Sequence, residues 1–169
     1  MAEENDQAAA GNGNEQEAQM AVQHVYLKDA SFEVPNVLEL DQGGSEPEVN
    51  MNLSQRSENL GEGRNHITLS VTVTSKQGDK TAFLCEVQYA GFFQLSGFSE
   101  QQVPYVLNVL CPNVLFPYCR SQIGAMVSAG GFFMPPLQPV NFEAVFRQRL
   151  EEARQQQDQG EQQPAGDDE

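Results

Sequence analysis

The side chains able to do chemistry in this chain are few and scattered. It has two histidines, His24 and His66, and three cysteines, Cys85, Cys111 and Cys119. An imidazole can move a proton and a thiolate can attack or ligate, but each needs a partner held within reach. The histidines are far apart, each within or at the start of a stretch that reads as a strand. Cys111 and Cys119 stand eight residues apart around two prolines, wider than the tight cysteine pairs of zinc sites. Gly11-Asn12-Gly13 and Gly61-Glu62-Gly63 do not lead from a strand into a helix, and no GKS or GKT occurs. There is no G-x-S-x-G nucleophile elbow. Acids are plentiful, but most lie where nothing would bury them to tune their pKa. No metal and no cofactor is expected, and the chain reads as one that binds and does not catalyse.

Two groups of residues suit binding. Asp29 and Glu33 share a strand face, and Glu86 lies on another strand. They form either a solvated face or a docking face for a basic partner. The second group is residues 130–142, Gly-Gly-Phe-Phe-Met-Pro-Pro-Leu-Gln-Pro-Val-Asn-Phe. Connections are normally polar because they run over the surface, and this one is not. It is either a lid over the core or the wall of an apolar groove. Proline would stiffen such a wall, and Phe and Met would give broad, adaptable contact. Composition does not choose between the two.

Both groups depend on the elements that carry them. Residues 22–34 read as a strand stopped by Pro35-Asn36. Simple alternation places Val22, Tyr26, Ala30 and Phe32 on one face, and Val25, Leu27, Asp29, Ser31 and Glu33 on the other. Residues 48–54 form a second strand, with Val49, Met51 and Leu53 on one side. Residues 66–76 form a third, with Ile67, Leu69, Val71 and Val73 opposite Thr68, Ser70, Thr72 and Thr74. Gln77-Gly78-Asp79 turns the chain into a fourth, residues 80–95, where Phe83, Cys85, Val87 and Tyr89 oppose Leu84, Glu86 and Gln88. The period then changes. Ser99 and Gln102 fit a capping box. The apolar stretch that follows is expected to break at Pro112 and Pro117. Beyond the break Phe116, Cys119, Ile123, Met126 and Val127 form one helical stripe, closed by Gly130-Gly131. A last helix starts at the N-cap Asn141. The order predicts an α+β fold, a four-stranded antiparallel sheet followed by two helices.

The chain carries 9 Lys+Arg against 24 Asp+Glu, a net of −15. Residues 1–17 hold five acids and no base; residues 151–169 hold seven acids and one base, Arg154. The ends therefore hold −11 of the charge and have little apolar content, which predicts disordered segments at 1–19 and 156–169 around a domain at 20–155. The acidic balance disfavours nucleic acid and anionic membrane as partners. No apolar run is long enough to cross a bilayer. The acidic N-terminus lacks the basic and apolar regions of a signal peptide. With an odd cysteine count, this predicts reduced thiols in the cytoplasm.

Four segments in register carry a resemblance. Val25-Tyr-Leu-Lys-Asp-Ala-Ser-Phe-Glu-Val-Pro-Asn36 and Ala82-Phe-Leu-Cys-Glu-Val-Gln88 resemble two strands of the SecB protein-export chaperones. Cys111-Pro-Asn-Val-Leu-Phe-Pro-Tyr118, followed by Arg120, is similar to that family's broken first helix, and Pro139-Val-Asn-Phe-Glu-Ala-Val-Phe146 to the start of its last. The resemblance covers about residues 20–150. It implies a homotetramer, a dimer of dimers with helices between two sheets. It implies an ATP-independent holdase that keeps precursor polypeptides unfolded and delivers them to the SecA motor. Carried over by position, Asp29, Glu33, Leu84 and Glu86 would meet the zinc-bearing basic C-terminal segment of SecA. Cys85 and Val87 would be tetramer contacts. Phe132, Phe133, Met134, Leu137, Val140 and Phe142, facing Met51 and Leu53, would form the substrate groove. The acidic C-terminal tail would be a secondary SecA contact. The chain departs from the family at Ser45, where a tryptophan is common, and at Val103-Pro104-Tyr105, where Met-Ala-His is usual. A SecB-like chaperone dedicated to a toxin–antitoxin pair is the alternative function.

Overall fold

Alternating β-branched and polar residues build the centre of the molecule. In the computed structural model, which describes residues 17–40 and 46–160, they form strand β3, Arg64–Gln77. β3 lies between β2, Glu48–Gly61, and β4, Lys80–Ser96. Strand β1, Gln19–Glu33, pairs with the far side of β4, giving the antiparallel order β1-β4-β3-β2. The acidic segments 1–16 and 161–169, and Ser45, lie outside the described residues.

One face of the sheet is closed. Ile67, Leu69, Val71 and Val73 of β3 are at most 1% exposed, and Cys85 and Val87 of β4 are at 0%. The layer covering them is a rod of three joined pieces: α1, Val103–Tyr105, a π-helical stretch, Val106–Leu110, and α2, Cys111–Ala129. Its stripe Leu115, Phe116, Cys119, Ile123 and Val127 is buried against the sheet. The expected break at Pro112 and Pro117 does not occur, because the backbone absorbs both rings. Pro112 follows directly on the wide π turn, and the Leu107 carbonyl of that turn accepts instead from Gln55 Nε2 of β2 at 2.8 Å. Asn108 Nδ2 donates to the Pro104 carbonyl at 2.8 Å within that turn. Pro117 sits on the exposed side of α2, where water can satisfy the carbonyl its ring leaves unpaired. Pro104 falls in the opening turn. Half of the capping box forms: the Ser99 N–H donates to Gln102 Oε1 at 2.9 Å.

The rod ends in a Schellman motif. Gly131, at φ +81°, donates its N–H to the Ser128 carbonyl, and Phe132 donates to that of Val127. Residues 132–141 then return to α3, Phe142–Gly160, whose first turn is capped by Asn141 Oδ1 accepting from the Ala144 N–H at 3.0 Å. α3 runs past residue 155, where the sequence placed the domain's end.

β1 departs from simple alternation. Its register against β4 shifts between Val22 and His24 and again between Leu27 and Asp29. Each shift inserts one residue and exchanges the faces. Val25 and Leu27, opposite Gly91 and Tyr89, therefore join Val22, Ala30 and Phe32 on the helix side, while His24, Tyr26, Asp29, Ser31 and Glu33 share the open side. This corrects the alternation-based placement of Val25, Leu27 and Tyr26.

Candidate functional site: two clefts and an acidic sheet face

The connection from β1 to β2 must cross the end of the sheet, since β1 and β2 are its opposite edges. It does so through Pro35 and a 3-10 turn, Val37–Glu39. Asn36 Nδ2 donates to the Thr81 carbonyl at 3.0 Å, and Lys80 Nζ lies 3.0 Å from Glu39 Oε2, so the crossing is tied to the β3–β4 hairpin. Beneath it opens a cleft of about 490 Å³, lined by Val37, Leu40, Pro47, Phe83, Phe132 and Phe133 among others. Two of its lining rings, Phe83 and Phe132, lie 5.1 Å apart, and Phe32 packs behind Phe83 at 5.6 Å, centroid to centroid. Phe32 packs directly on Gly130, where a Cβ would collide with its ring. At the rim, Phe133 is 93% exposed, and Leu38 of the crossing is 96% exposed.

A second cleft, of about 510 Å³, lies between α2 and the proline-rich connection. Pro117, Arg120, Ser121, Gly124 and Ser128 line one side and Met134, Pro136 and Leu137 the other. The expected single wall facing Met51 and Leu53 is therefore divided. Phe132 and Phe133 face the crossing and the hairpin; Met134 and Leu137 face α2. Leu53 instead borders a gap of only about 10 Å³ with Phe142, Val145 and Phe146. Met51 and Val140 are half-buried against the core, and Leu137 and Phe142 belong to it. The division has a backbone cause: the Schellman turn sends Phe132 back over the sheet end, and three prolines keep the rest extended along α2. Sequence reasoning missed the crossing. Its signal was Val37-Leu38-Glu39-Leu40, an apolar cluster between a Pro-Asn turn and Gly43-Gly44.

The acids are brought together. Glu33 lies opposite Leu84 and Ser31 opposite Glu86 in the ladder, so Asp29, Glu33, Leu84 and Glu86 share one corner of the open face. Gln88 Nε2 donates to Glu86 Oε1 at 3.0 Å and holds that carboxylate on the sheet. Cys85 and Val87, in contrast, point the other way and are wholly enclosed by their own chain. Within the single chain they pack beneath α2 as part of the core. Burial pushes the thiols up, Cys85 and Cys119 to about 11 and Cys111 to about 12, which keeps them protonated and unreactive near neutrality. No helix among the described residues is long and apolar enough to cross a membrane.

The fold has a known counterpart. It superposes with a TM-score of 0.56 on a SecB-like chaperone of Mycobacterium tuberculosis, solved with a peptide from an antitoxin; the match covers 72% of this chain and 90% of that one at 10% identity, and shows the architecture alone. A four-stranded sheet carrying its helices on one face is thus a SecB-like scaffold. Sequence carries the assignment further. The family model for the preprotein translocase subunit SecB matches residues 13–153. A protein-export protein SecB of Alkalilimnicola ehrlichii is 44% identical over 90% of this chain and 81% of its own length. Another, of Hydrogenovibrio crunogenus, is 45% identical over 80% of this chain and 91% of its own. The chain belongs to the SecB family.

Proposed function

We propose that this protein is an ATP-independent export chaperone, which holds unfolded precursor polypeptides in the cytoplasm and passes them to the SecA motor. The observation that carries the reading is the cleft under the crossing, with Phe133 standing 93% exposed at its rim. A folded chain has no packing reason to leave a phenylalanine in water. An unfolded polypeptide offers apolar side chains, and each Å² covered contributes roughly 25 cal/mol. Such contact favours the unfolded form without reading its sequence, and binding that form drains the folding equilibrium. No nucleotide is needed to hold a client.

The assembly that suits this is a homotetramer, a dimer of dimers with helices between two sheets. β1 is an edge strand, and on its helix side Val22 and Leu27 are 45% and 43% exposed, with Tyr118 of α2 at 47%. Apolar surface beside an unpaired edge suits a second copy. Several clefts on one particle would also give a long client avidity. Cys85 and Val87 would act on assembly by shaping the sheet under α2. Asp29, Glu33, Leu84 and Glu86 would receive the basic, zinc-bearing C-terminal segment of SecA, with the acidic C-terminal tail as a second contact. The export reading is preferred over service to a toxin–antitoxin pair because the relatives at 44–45% identity are export proteins, whereas the antitoxin-bound chaperone is 10% identical.

The test is a slow-folding precursor diluted from denaturant with and without the protein, nucleotide absent. Light scattering should stay low, and added SecA should join the soluble complex. Aggregation unaffected by the protein would defeat the reading. A sizing column with light scattering should give about four times 18.6 kDa; a monodisperse monomer would defeat the assembly.

A further inference from the structure

The crossing that roofs the first cleft is fastened in a way that lets it move. Val34 packs against the core at one end, and Leu40 lines the cleft, half-buried, at the other. Between them Val37 is 61% exposed and Leu38 almost fully so, and the apolar side chains of the 3-10 turn anchor little. The turn keeps its own shape, because the Glu39 N–H donates to the Asn36 carbonyl at 2.9 Å. It is a compact unit resting on polar ties.

Those ties come from one place, the tip of the β3–β4 hairpin, directly after Gly78 at φ +60°. Lys80 Nζ lies 3.0 Å from Glu39 Oε2 and donates to the Glu39 carbonyl at 3.4 Å. The Thr81 carbonyl accepts from Asn36 Nδ2 at 3.0 Å. The Lys80 and Glu39 side chains are 46% and 63% exposed. A pair that open to water holds weakly and is screened by salt. Beneath it lie about 490 Å³ of space and the apolar lining of Ala82, Phe83 and Phe132, which a client has to reach.

We infer that residues 34–40 are a movable roof, latched by Lys80, which lifts from the hairpin when polypeptide enters the cleft. The inference rests on the cleft being the client site. Only the lifted fraction of the protein is open to a client, so the strength of the latch enters the apparent affinity, and a weaker latch gives tighter apparent binding. Salt therefore acts on this step with the opposite sign to its action on attraction between charged partners. By screening the Lys80–Glu39 pair it helps a client of no net charge to enter.

The test uses the full chain carrying Leu38→Cys and Asp79→Cys, spin-labelled at both and assembled with excess unlabelled chain, so that the pair reports within one subunit. The three native thiols are buried, so at neutral pH only the introduced ones react. At low salt one short separation should dominate. A longer one should appear in high salt and in Lys80→Gln with no client present. It should dominate when an unfolded precursor of near-zero net charge saturates the protein. Lys80→Gln should bind that precursor a few-fold more tightly at low salt and lose the gain that salt gives the parent. A separation unchanged by Lys80→Gln and by salt would overturn the latch. So would a precursor bound at full affinity with the labels still at the short separation. A roof that lifts in Lys80→Gln while the precursor aggregates regardless would uphold the latch and defeat the chaperone reading alone.

Discussion

Strand β4 carries two surfaces that differ in every property except their address. On the helix side Phe83, Cys85 and Val87 are sealed; one residue out of phase, Leu84, Glu86 and Gln88 lie half-exposed on a face with no helix over it. The pleat alone separates a core from an open, acidic face. A strand that serves both must hold its register, because a one-residue slip would put Glu86 in the core and Val87 in water. From Phe83 to Leu95 β4 holds its phase with partners on both sides, its one shift falling at Ala82 near its start, whereas β1, with one partner, shifts phase twice. The bulges in β1 are what bring Asp29, Ser31 and Glu33 to the face of Leu84 and Glu86 while turning Val25 and Leu27 toward the helices.

The contrast can be tested from either side, and the closed face should respond most. Leu115→Ala empties a fully buried position under β4, and chemical denaturation should find about 3–4 kcal/mol of stability gone. Retention of full stability would mean that the rod does not seal the sheet. The thiols give a second test of closure. Their folded pKa values, about 11 to 12, lie above the usual 9, so the folded state holds these protons more tightly. Their contribution is fully present below about pH 9 and is lost as pH rises through the folded values. Stability should fall between pH 9 and 12, less steeply in Cys111→Ala, which also measures the cost of the cavity at neutral pH. An unchanged slope would place the thiols in contact with water.

On the open face the expected effects are in binding, not in stability. Glu86→Lys should weaken the SecA C-terminal segment by about tenfold, or about 1.4 kcal/mol, with unfolding and client protection unchanged. Joint loss of docking and stability would make the corner a structural feature. The smallest effect belongs to the rim. Phe133→Ala removes a ring that touches little in its own chain, so melting should not move while client affinity drops a few-fold. A large loss of stability would make the connection a lid.

What could be read from residues alone followed from how local the cause was. The alternation of β3 and the stripe Phe116, Cys119, Ile123 and Val127 are set by near neighbours, and both elements stand where the spacing put them. The Gly130-Gly131 stop and the Asn141 cap are single-residue devices and were equally plain. Pro112 and Pro117 misled because a proline interrupts a helix only when its ring lacks room or its orphaned carbonyl lacks water, and the π turn and the exposed side of α2 supply these. The bulges were invisible because they arise from pairing with β4, which begins almost fifty residues after β1 ends. For the same reason the groove was assigned its residues but not its shape. Leu53 and Phe133 were placed together, yet the crossing strap, whose apolar cluster went unweighed, takes Phe133 as its neighbour.

The central claim is that the cleft rim grips polypeptide that has lost its fold. A photoactivatable benzophenone residue at position 133, compared with one at Thr72 on the open face, tests it directly. Irradiation with an unfolded precursor should give adducts from position 133 and few from position 72, and neither should capture the same precursor once folded. Adducts that come equally from both positions, or from position 72 alone, would contradict the account.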